Sequence, residues 1–350
     1  MADITWKSIL TKLVQGNHLS AEESEWFVDD LMKGNANPAA VGAVLATQQQ
    51  LGLTADEVAG AAKAMVSHAV PLEVNRECTD IVGTGGDSAH TVNLSTMGAV
   101  IAAASGVTIV KHGNRAASSK CGAADCLEAL GLPLDLKPQA VAEVADEVGI
   151  TFAFAKTFHP AMRFVGPVRA ALGISCVFNV LGPLTNPATP KHMAIGCANR
   201  AMSPIMAAVY AANGQSGMVY TSNEGLDEMA PTGPISVWEF KDGKVSETEF
   251  DPIEELGLAK VTIEDLRGGE PDYNAQAARD LFAGKDVPFR TTALLNAASA
   301  IVADGSLIDA SAPLGERFRQ AYAIAEQAVD SGRASALLDE WIAVASQYVD

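Results

Sequence analysis

The sequence predicts an α/β fold: a small N-terminal α-helical domain, then a large α/β domain with a mostly parallel central sheet. Three observations predict it. Residues 1–70 carry several helix-start signals and no strand pattern. From Thr79 onward, short apolar runs alternate with helix-length segments, the pattern of a parallel sheet with crossover helices. Hydrophobic residues make up 48% of the chain but aromatic ones only 6%, which suits close packing of alanine-rich helices. A chain of 350 residues has room for a large core and two domains.

In the helical part, Ser20-Ala-Glu-Glu reads as a start with Ser20 as N-cap and Glu23 three residues on. Asn37-Pro38 and Leu53–Glu57 read as further starts, with Pro38 near a first turn. The composition shifts between Ser67 and Thr79, which divides the chain into domains 1–70 and 75–350. Thr79–Val82 then reads as a strand, Val92–Ser105 as a helix and Val107–Val110 as a second strand, a βαβ unit of ordinary length. Ala123–Leu130 and Pro138–Val148 read as helices and Thr151–Ala155 as a third strand. Pro160–Leu172 reads as a helix, Met193–Cys197 as a fourth strand, Met202–Ala212 as a helix and Gly217–Thr221 as a fifth strand. Two β-rich runs around Asp242-Gly243 predict an antiparallel hairpin. Thr291–Asp304, Leu314–Ser331 and Arg333–Val344 read as closing helices.

The net charge is −18, from 24 basic and 42 acidic residues. That balance argues against nucleic acid or an anionic membrane as partner. No apolar run reaches the ~20 residues of a membrane helix. Met1–Leu10 lacks the basic start and apolar core of a secretory signal, so a cytoplasmic protein is expected. Cys78, Cys121, Cys126, Cys176 and Cys197 form no C-x-x-C pair and read as reduced, packed thiols.

Chemistry gathers after four strands. The first leads into Gly83-Thr-Gly-Gly-Asp87, followed by Thr91, Asn93, Ser95 and Thr96 at a helix start. Glycine turns and helix N-termini present N–H groups to an anion. This is not a Walker A motif, and Ser88 stands where a dinucleotide fingerprint needs its last glycine. The second strand leads into KHGNRAASSK, Lys111–Lys120, whose basic and hydroxyl groups suit a polyanion. The third leads into Lys156–Arg163, with His159, and the fifth into a loop carrying Asp227-Glu228. Adjacent carboxylates of that kind suit Mg²⁺, which leans on phosphates and keeps waters. Ligands bind outside the carboxyl ends of parallel strands, so the four loops are expected around one cleft. A Ser-His-Asp triad from Ser95, His112 or His159 and Asp87 would lack the G-x-S-x-G elbow.

GTGGD, NLST, KHGNRAASSK, FHPAMRFVGPVRAALG, FNVLGPLTNPA and GLDEM occur in that order. In these motifs and nearly end to end, the chain resembles the anthranilate phosphoribosyltransferases. The resemblance implies a nucleoside phosphorylase/phosphoribosyltransferase-like fold, the helical domain being completed by a segment near 165–185. It implies transfer of the phosphoribosyl group of 5-phosphoribosyl 1-pyrophosphate (PRPP) to the amine of anthranilate, in tryptophan biosynthesis. Carried over by motif, the PRPP site would hold Gly83, Gly86, Asp87, Thr91, Asn93, Leu94, Ser95, Thr96, Lys111, His112, Gly113, Asn114, Arg115, Ala116, Ala117, Ser118, Ser119 and Ala123. Anthranilate would meet Gly83, His112, Asn114, His159 and Arg169. Ser95, Asp227 and Glu228 would ligate two Mg²⁺ per subunit of a homodimer, with no covalent nucleophile. A pyrimidine nucleoside phosphorylase would share the fold and a glycine-rich phosphate loop, but KHGNRAASSK, HPAM and the Arg169 segment argue against it. Three positions depart from the family pattern: Cys121 and Ala123 stand where serines are usual, and Ala117 where a valine is common.

Overall fold

The computed structural model describes residues 3–116 and 119–349. Four helices open the chain: α1 (Trp6–Val14), α2 (Ala21–Met32), α3 (Pro38–Leu51) and α4 (Ala55–Ser67). They begin where cap chemistry directs. Ser20 with Glu23, and Thr54 with Glu57, form reciprocal capping boxes at α2 and α4. Asn37 accepts from the Ala39 amide, with Pro38 as the first residue of α3. Each box satisfies N–H groups that the first helical turn leaves without partners.

The chain continues through β1 (Thr79–Gly83), α5 (Leu94–Ser105), β2 (Ile109–Gly113), α6 (Ala123–Leu130), α7 (Pro138–Val148), β3 (Ile150–Phe154), α8 (Ala155–Phe158), α9 (Met162–Leu172), α10 (Phe178–Leu184) and β4 (His192–Gly196). Then follow α11 (Ser203–Ala212), β5 (Ser216–Ser222), β6 (Ile235–Lys241), β7 (Lys244–Phe250), α12 (Pro252–Leu256), α13 (Pro271–Phe282), α14 (Arg290–Asp304), α15 (Leu314–Asp330) and α16 (Arg333–Ser346). The seven strands form one sheet in the order β3-β2-β1-β4-β5-β6-β7. β1 to β5 are parallel, and β6 and β7 are antiparallel. The β6–β7 turn has positive φ at Asp242 and Gly243, as a tight hairpin requires.

One face of the sheet carries α5 and α14, buried nearly all round, beneath α15 and α16. The other face meets α11. There the apolar residues of α1–α4 join Val165 of α9, Phe178 and Leu181 of α10, and Ile195, Val219 and Trp238 of the sheet in one cluster.

Two differences from the sequence reading bear on the site. The second strand runs to Gly113, so Lys111 and His112 lie on β2 rather than in the loop after it. A polar pair in a buried strand ends an apolar pattern, and its tertiary partners are invisible in the chain. Helices α10 and α13 also went unassigned: α10 is short and contains Pro183, and alanines on the buried side of α13 give little apolar contrast.

Candidate active site

The sheet opens between β1 and β2. β1 pairs with β4 along five residues, but with β2 only at Thr79 and Ile109. Side chains bridge the gap beyond. Lys111 Nζ donates to the Ile81 carbonyl at 2.6 Å, and the His112 amide donates to Asp80 Oδ1 at 3.2 Å. Asn186 Nδ2 donates to the Val110 carbonyl at 2.8 Å and to Asp80 Oδ2 at 2.9 Å. Burial pushes the Asp80 carboxyl up to about 6, against the pull of Lys111 and these donors.

A cavity of about 730 Å³ lies at the carboxyl ends of these strands. Connections leave β1 and β4 toward opposite ends of the sheet, so this is the switch point where open α/β sheets bind ligands. Gly83 and Gly196 end those two strands, and the acidic loop lies directly upon them. A Cβ on Gly83 would stand 2.1 Å from Asp227 Oδ2, and one on Gly196 would stand 1.8 Å from the Asp227 carbonyl oxygen. The absent side chains let Asp227 reach the glycine turn, where the Gly85 amide donates to Asp227 Oδ2 at 2.6 Å. That turn is wound left-handed at Gly85 and Gly86, and again at Ser88 and His90.

Asp227 and Glu228 are buried, 7% and 8% exposed. Burial and the nearby Asp87 carboxylate push the Asp227 carboxyl up to about 7. Burial, then Asp227 and Asp87, raise Glu228 well above the carboxylate range. Glu228 Oε2 has no hydrogen-bond partner. The nearest compensating charge is the Lys111 ammonium, whose pKa burial lowers while the Asp80, Glu228 and Asp227 carboxylates act to keep it protonated. Lys111 Nζ also donates to Ser95 Oγ at 3.2 Å. Among the described residues no three His, Cys, Asp or Glu side chains converge as a protein-only metal cage. Carboxylates left this poorly neutralised fit a hard cation that takes its remaining ligands from phosphate and water.

The basic loop follows β2. Gly113, Asn114, Arg115, Ala116, Ser119 and Ala123 line the cavity, as do Gly83, Gly86, Asp87, Thr91, Asn93 and Ser95 of the first loop. Ala117 and Ser118 lie outside the described residues. Leu94 and Thr96 do not line the cavity: their side chains are 0% and 2% exposed in the core. The cause is helical period, since Ser95 turns to the cavity and its neighbours on α5 face inward. Arg115 is less available than its position in the chain suggested. It bonds Asp125 at 2.9 Å and Glu128 at 2.7 and 3.0 Å, so much of its charge is already answered. Asn93 is held by Cys121 and Asn274, which fixes the entry to α5.

His112, His159 and Arg169 also line the cavity. The two imidazoles lie 5.1 Å apart, centroid to centroid. His112 Nδ1 donates to the Gly182 carbonyl at 3.0 Å and His159 Nε2 to that of Thr185 at 2.9 Å. Burial holds both neutral, His112 down to about 3 and His159 to about 4. Their tautomers follow from the carbonyl acceptors, so His112 Nε2 carries a lone pair; that atom is buried with no partner. Phe154, Met162, Phe178, Asn179, Pro183 and Met65 of α4 line it as well. Sequence reading did not single them out: Met162, Phe178, Asn179 and Pro183 lie within quoted motifs, but their side chains are apolar or uncharged and come from separate elements. Among the described residues no helix is long and apolar enough to cross a membrane.

Comparison with known proteins agrees with this architecture. Residues 7–69 match the glycosyl transferase family helical bundle domain, and residues 75–335 match the glycosyl transferase family a/b domain. Anthranilate phosphoribosyltransferase of Arthrobacter sp. (strain FB24) is 46% identical over 340 residues, 97% of this chain and 96% of the relative. That of Salinispora arenicola (strain CNS-205) is 45% identical over 349 residues, 99% of this chain and 98% of the relative. The solved enzyme from Thermus thermophilus superposes with a TM-score of 0.89 at 39% identity, covering 97% of this chain and 99% of that one. The Saccharomyces cerevisiae enzyme in complex with PRPP and Mg gives a TM-score of 0.87 at 26% identity, covering 99% of each chain. On its motifs, its two matched domains and its full-length likeness to these enzymes, the chain belongs to the anthranilate phosphoribosyltransferase family.

Proposed function

We propose that the cavity binds PRPP and anthranilate and joins them into N-(5-phosphoribosyl)anthranilate with release of pyrophosphate, the second step of tryptophan synthesis from chorismate. The observation that carries this reading is the division of one cavity into two chemistries. One side holds glycine amides, Ser95 and buried carboxylates. The other holds neutral imidazoles, apolar side chains and Arg169.

On the first side, the amides of Gly83–Asp87, the Ser95 hydroxyl and the loop from Lys111 to Ser119 hold the pyrophosphate and ribose phosphate. Lys111 acts mainly by fixing Ser95 and the β1 carbonyl, since its ammonium is bonded to both. Ser95, Asp227 and Glu228 would hold Mg²⁺, two ions per subunit; when bound, Mg²⁺ neutralises charge on the leaving pyrophosphate, worth several kcal/mol.

On the second side, Arg169 pairs with the anthranilate carboxylate, and His112 and His159 with Asn114 flank the ring and amine. Neutral imidazoles are required there, because a cation beside an oxocarbenium-like sugar would oppose the reaction. The bond from ribose C1 to pyrophosphate oxygen breaks and a bond from C1 to the amine nitrogen forms, after which nitrogen releases a proton. The aromatic amine is neutral when it attacks, so no strong base or covalent nucleophile is needed.

We assign residues 1–70, completed by 165–185, to a helical domain and 75–350 to the α/β domain. Substrates meeting between two domains call for closure that excludes water. A cytoplasmic homodimer is the expected state. The test is consumption of anthranilate fluorescence by purified protein with PRPP and Mg²⁺. Fluorescence that stays constant while a control enzyme turns over would overturn the reading.

A further inference from the structure

The middle of α14 is packed on every side by the core, yet it carries a carboxamide, Asn296. Its Oδ1 accepts from the Met229 amide at 3.1 Å and from the Tyr220 hydroxyl at 3.3 Å. Its Nδ2 donates to the Met229 carbonyl at 3.2 Å and to the Thr292 carbonyl at 2.9 Å. Two acceptor sites and two N–H groups are the whole capacity of a carboxamide, so this one is filled and has a single orientation. Burying an amide costs desolvation that a leucine avoids, unless a buried partner needs it. That partner is Met229, the residue after Glu228. Met229 is fully buried, and Asn296 bonds both its N–H and its C=O, as a paired antiparallel strand does.

The other end of the acidic pair is tied as well. Ser222, the last residue of β5, accepts from the Leu226 amide through Oγ at 3.0 Å, and its own amide donates to the Leu226 carbonyl at 3.2 Å. Asp227 and Glu228 therefore lie between two anchored residues, Leu226 and Met229. Asn296 also meets the helix that carries Ser95. A Cβ on Gly98, one turn after Ser95, would stand 3.0 Å from the Ala297 nitrogen and 3.1 Å from Asn296 Cβ. The bare glycine lets α5 close on α14 at the position of this amide.

We propose that Asn296 is a positioning residue for the divalent-cation site, setting the Asp227-Glu228 loop against the helix that bears Ser95. The inference rests on the assignment of those three residues to Mg²⁺ made above. Three ligands from two distant segments bind a cation tightly only when their separation is fixed before it arrives. Asn296 fixes it by bonding the loop at Met229 while its Cβ and backbone pack on α5 at Gly98. It touches neither carboxylate, so its action passes through the backbone. Removing it strands the Met229 N–H and C=O in the core and lets the loop shift to find other partners. The cost then falls on cation affinity, expected to weaken about tenfold, and not on the anthranilate side of the cavity.

The test measures Mn²⁺ binding without turnover. Mn²⁺ takes the same oxygen ligands as Mg²⁺, and its free form is read by electron paramagnetic resonance in the presence of PRPP and the absence of anthranilate. Asn296→Ala is expected to raise the Mn²⁺ dissociation constant about tenfold, with the KM for anthranilate at saturating Mg²⁺ unchanged. Native Mn²⁺ affinity in a folded Asn296→Ala protein would overturn the proposal and leave Asn296 a packing residue. An equal loss in Mn²⁺ affinity and in the KM for anthranilate would overturn it too, as general loosening of the cavity. Gly98→Ala decides the matter where Asn296→Ala does not fold. It keeps every bond of the amide and forces α5 from α14 by a few tenths of an ångström, for an expected threefold rise in the same constant, about one third of the tenfold effect. An unchanged constant there would overturn the proposal. Failure of the unaltered protein to bind Mn²⁺ with PRPP would overturn the metal assignment itself, and the proposal with it.

Discussion

Two buried glutamates show how differently the two halves of this molecule use the same side chain. Glu57 in α4 is fully buried and fully answered. It accepts from the Leu19 and Thr54 amides, the Thr54 hydroxyl, Gln48 and His18. Glu228 at the sheet rim is almost as buried, yet Oε2 has no partner and two further carboxylates crowd it. An unpaired buried carboxylate is costly, whereas one with several donors ties elements together. The contrast teaches that saturation separates a structural charge from one kept for a ligand. The histidines repeat the lesson, with His18 paired to Glu57 and the buried Nε2 of His112 left without a partner.

The sharpest way to break the comparison is to neutralise the rim. Asp227→Asn with Glu228→Gln is expected to cost about 4 kcal/mol of transition-state stabilisation, roughly a thousandfold in kcat/KM. The Mg²⁺ needed for half-maximal rate rises, while the fold keeps or gains stability because repulsion is relieved. An unchanged Mg²⁺ titration would reject the metal role. Glu57→Ala should do the reverse. Its loss strands buried donors at the α4 start and is expected to cost about 3 kcal/mol in urea unfolding. Its Mg²⁺ midpoint stays put; a shifted midpoint would mean the helical domain and the rim are not separable.

Arg169→Ala sharpens the division within the cavity. Removing a charged partner of a carboxylate is worth about 2 kcal/mol, roughly thirtyfold in the KM for anthranilate. If only PRPP binding suffered, the second wall would be wrongly assigned. A further test is one of pH. His112 and His159 have folded pKa values of about 3 and 4, below the ordinary 6.5 of the unfolded chain. As pH falls from 6.5 toward 4, the unfolded chain binds protons that the folded one refuses, so stability falls through that window. Replacing both by Gln should flatten the decline, as read from unfolding free energies at several pH values. An unchanged slope would show that other groups dominate it.

Much of this was legible in the chain. The capping boxes of α2 and α4 are local, because a Ser or Thr and a Glu three residues on satisfy each other within one turn. The Asp242-Gly243 hairpin is local for the same reason, and parallel strand alternation implied that four loops would share a rim. The loops at Gly83–Asp87, Lys111–Lys120 and Asp227-Glu228 could therefore be read as one site before any coordinate. Sequence reading overestimated Leu94 and Thr96, whose motif membership hid their inward direction on α5. It overestimated Arg115 as well, because the partners at Asp125 and Glu128 lie on a helix ten or more residues away.

What the sequence determined by itself was set by near neighbours: the caps of α2, α3 and α4, the Asp242-Gly243 turn, and the alternation of strands with most of the helices. Tertiary structure alone decided which charges remain unanswered. The β1–β2 gap bridged by Asp80, Lys111 and Asn186, the bare glycines under Asp227 and the orphaned oxygen of Glu228 all join distant parts of the chain. Gly85 and Asp227, in direct hydrogen bond, are 142 positions apart. Hydrogen bonding and solvation at such a place depend on what the fold brings within about 3 Å, and no local pattern records that.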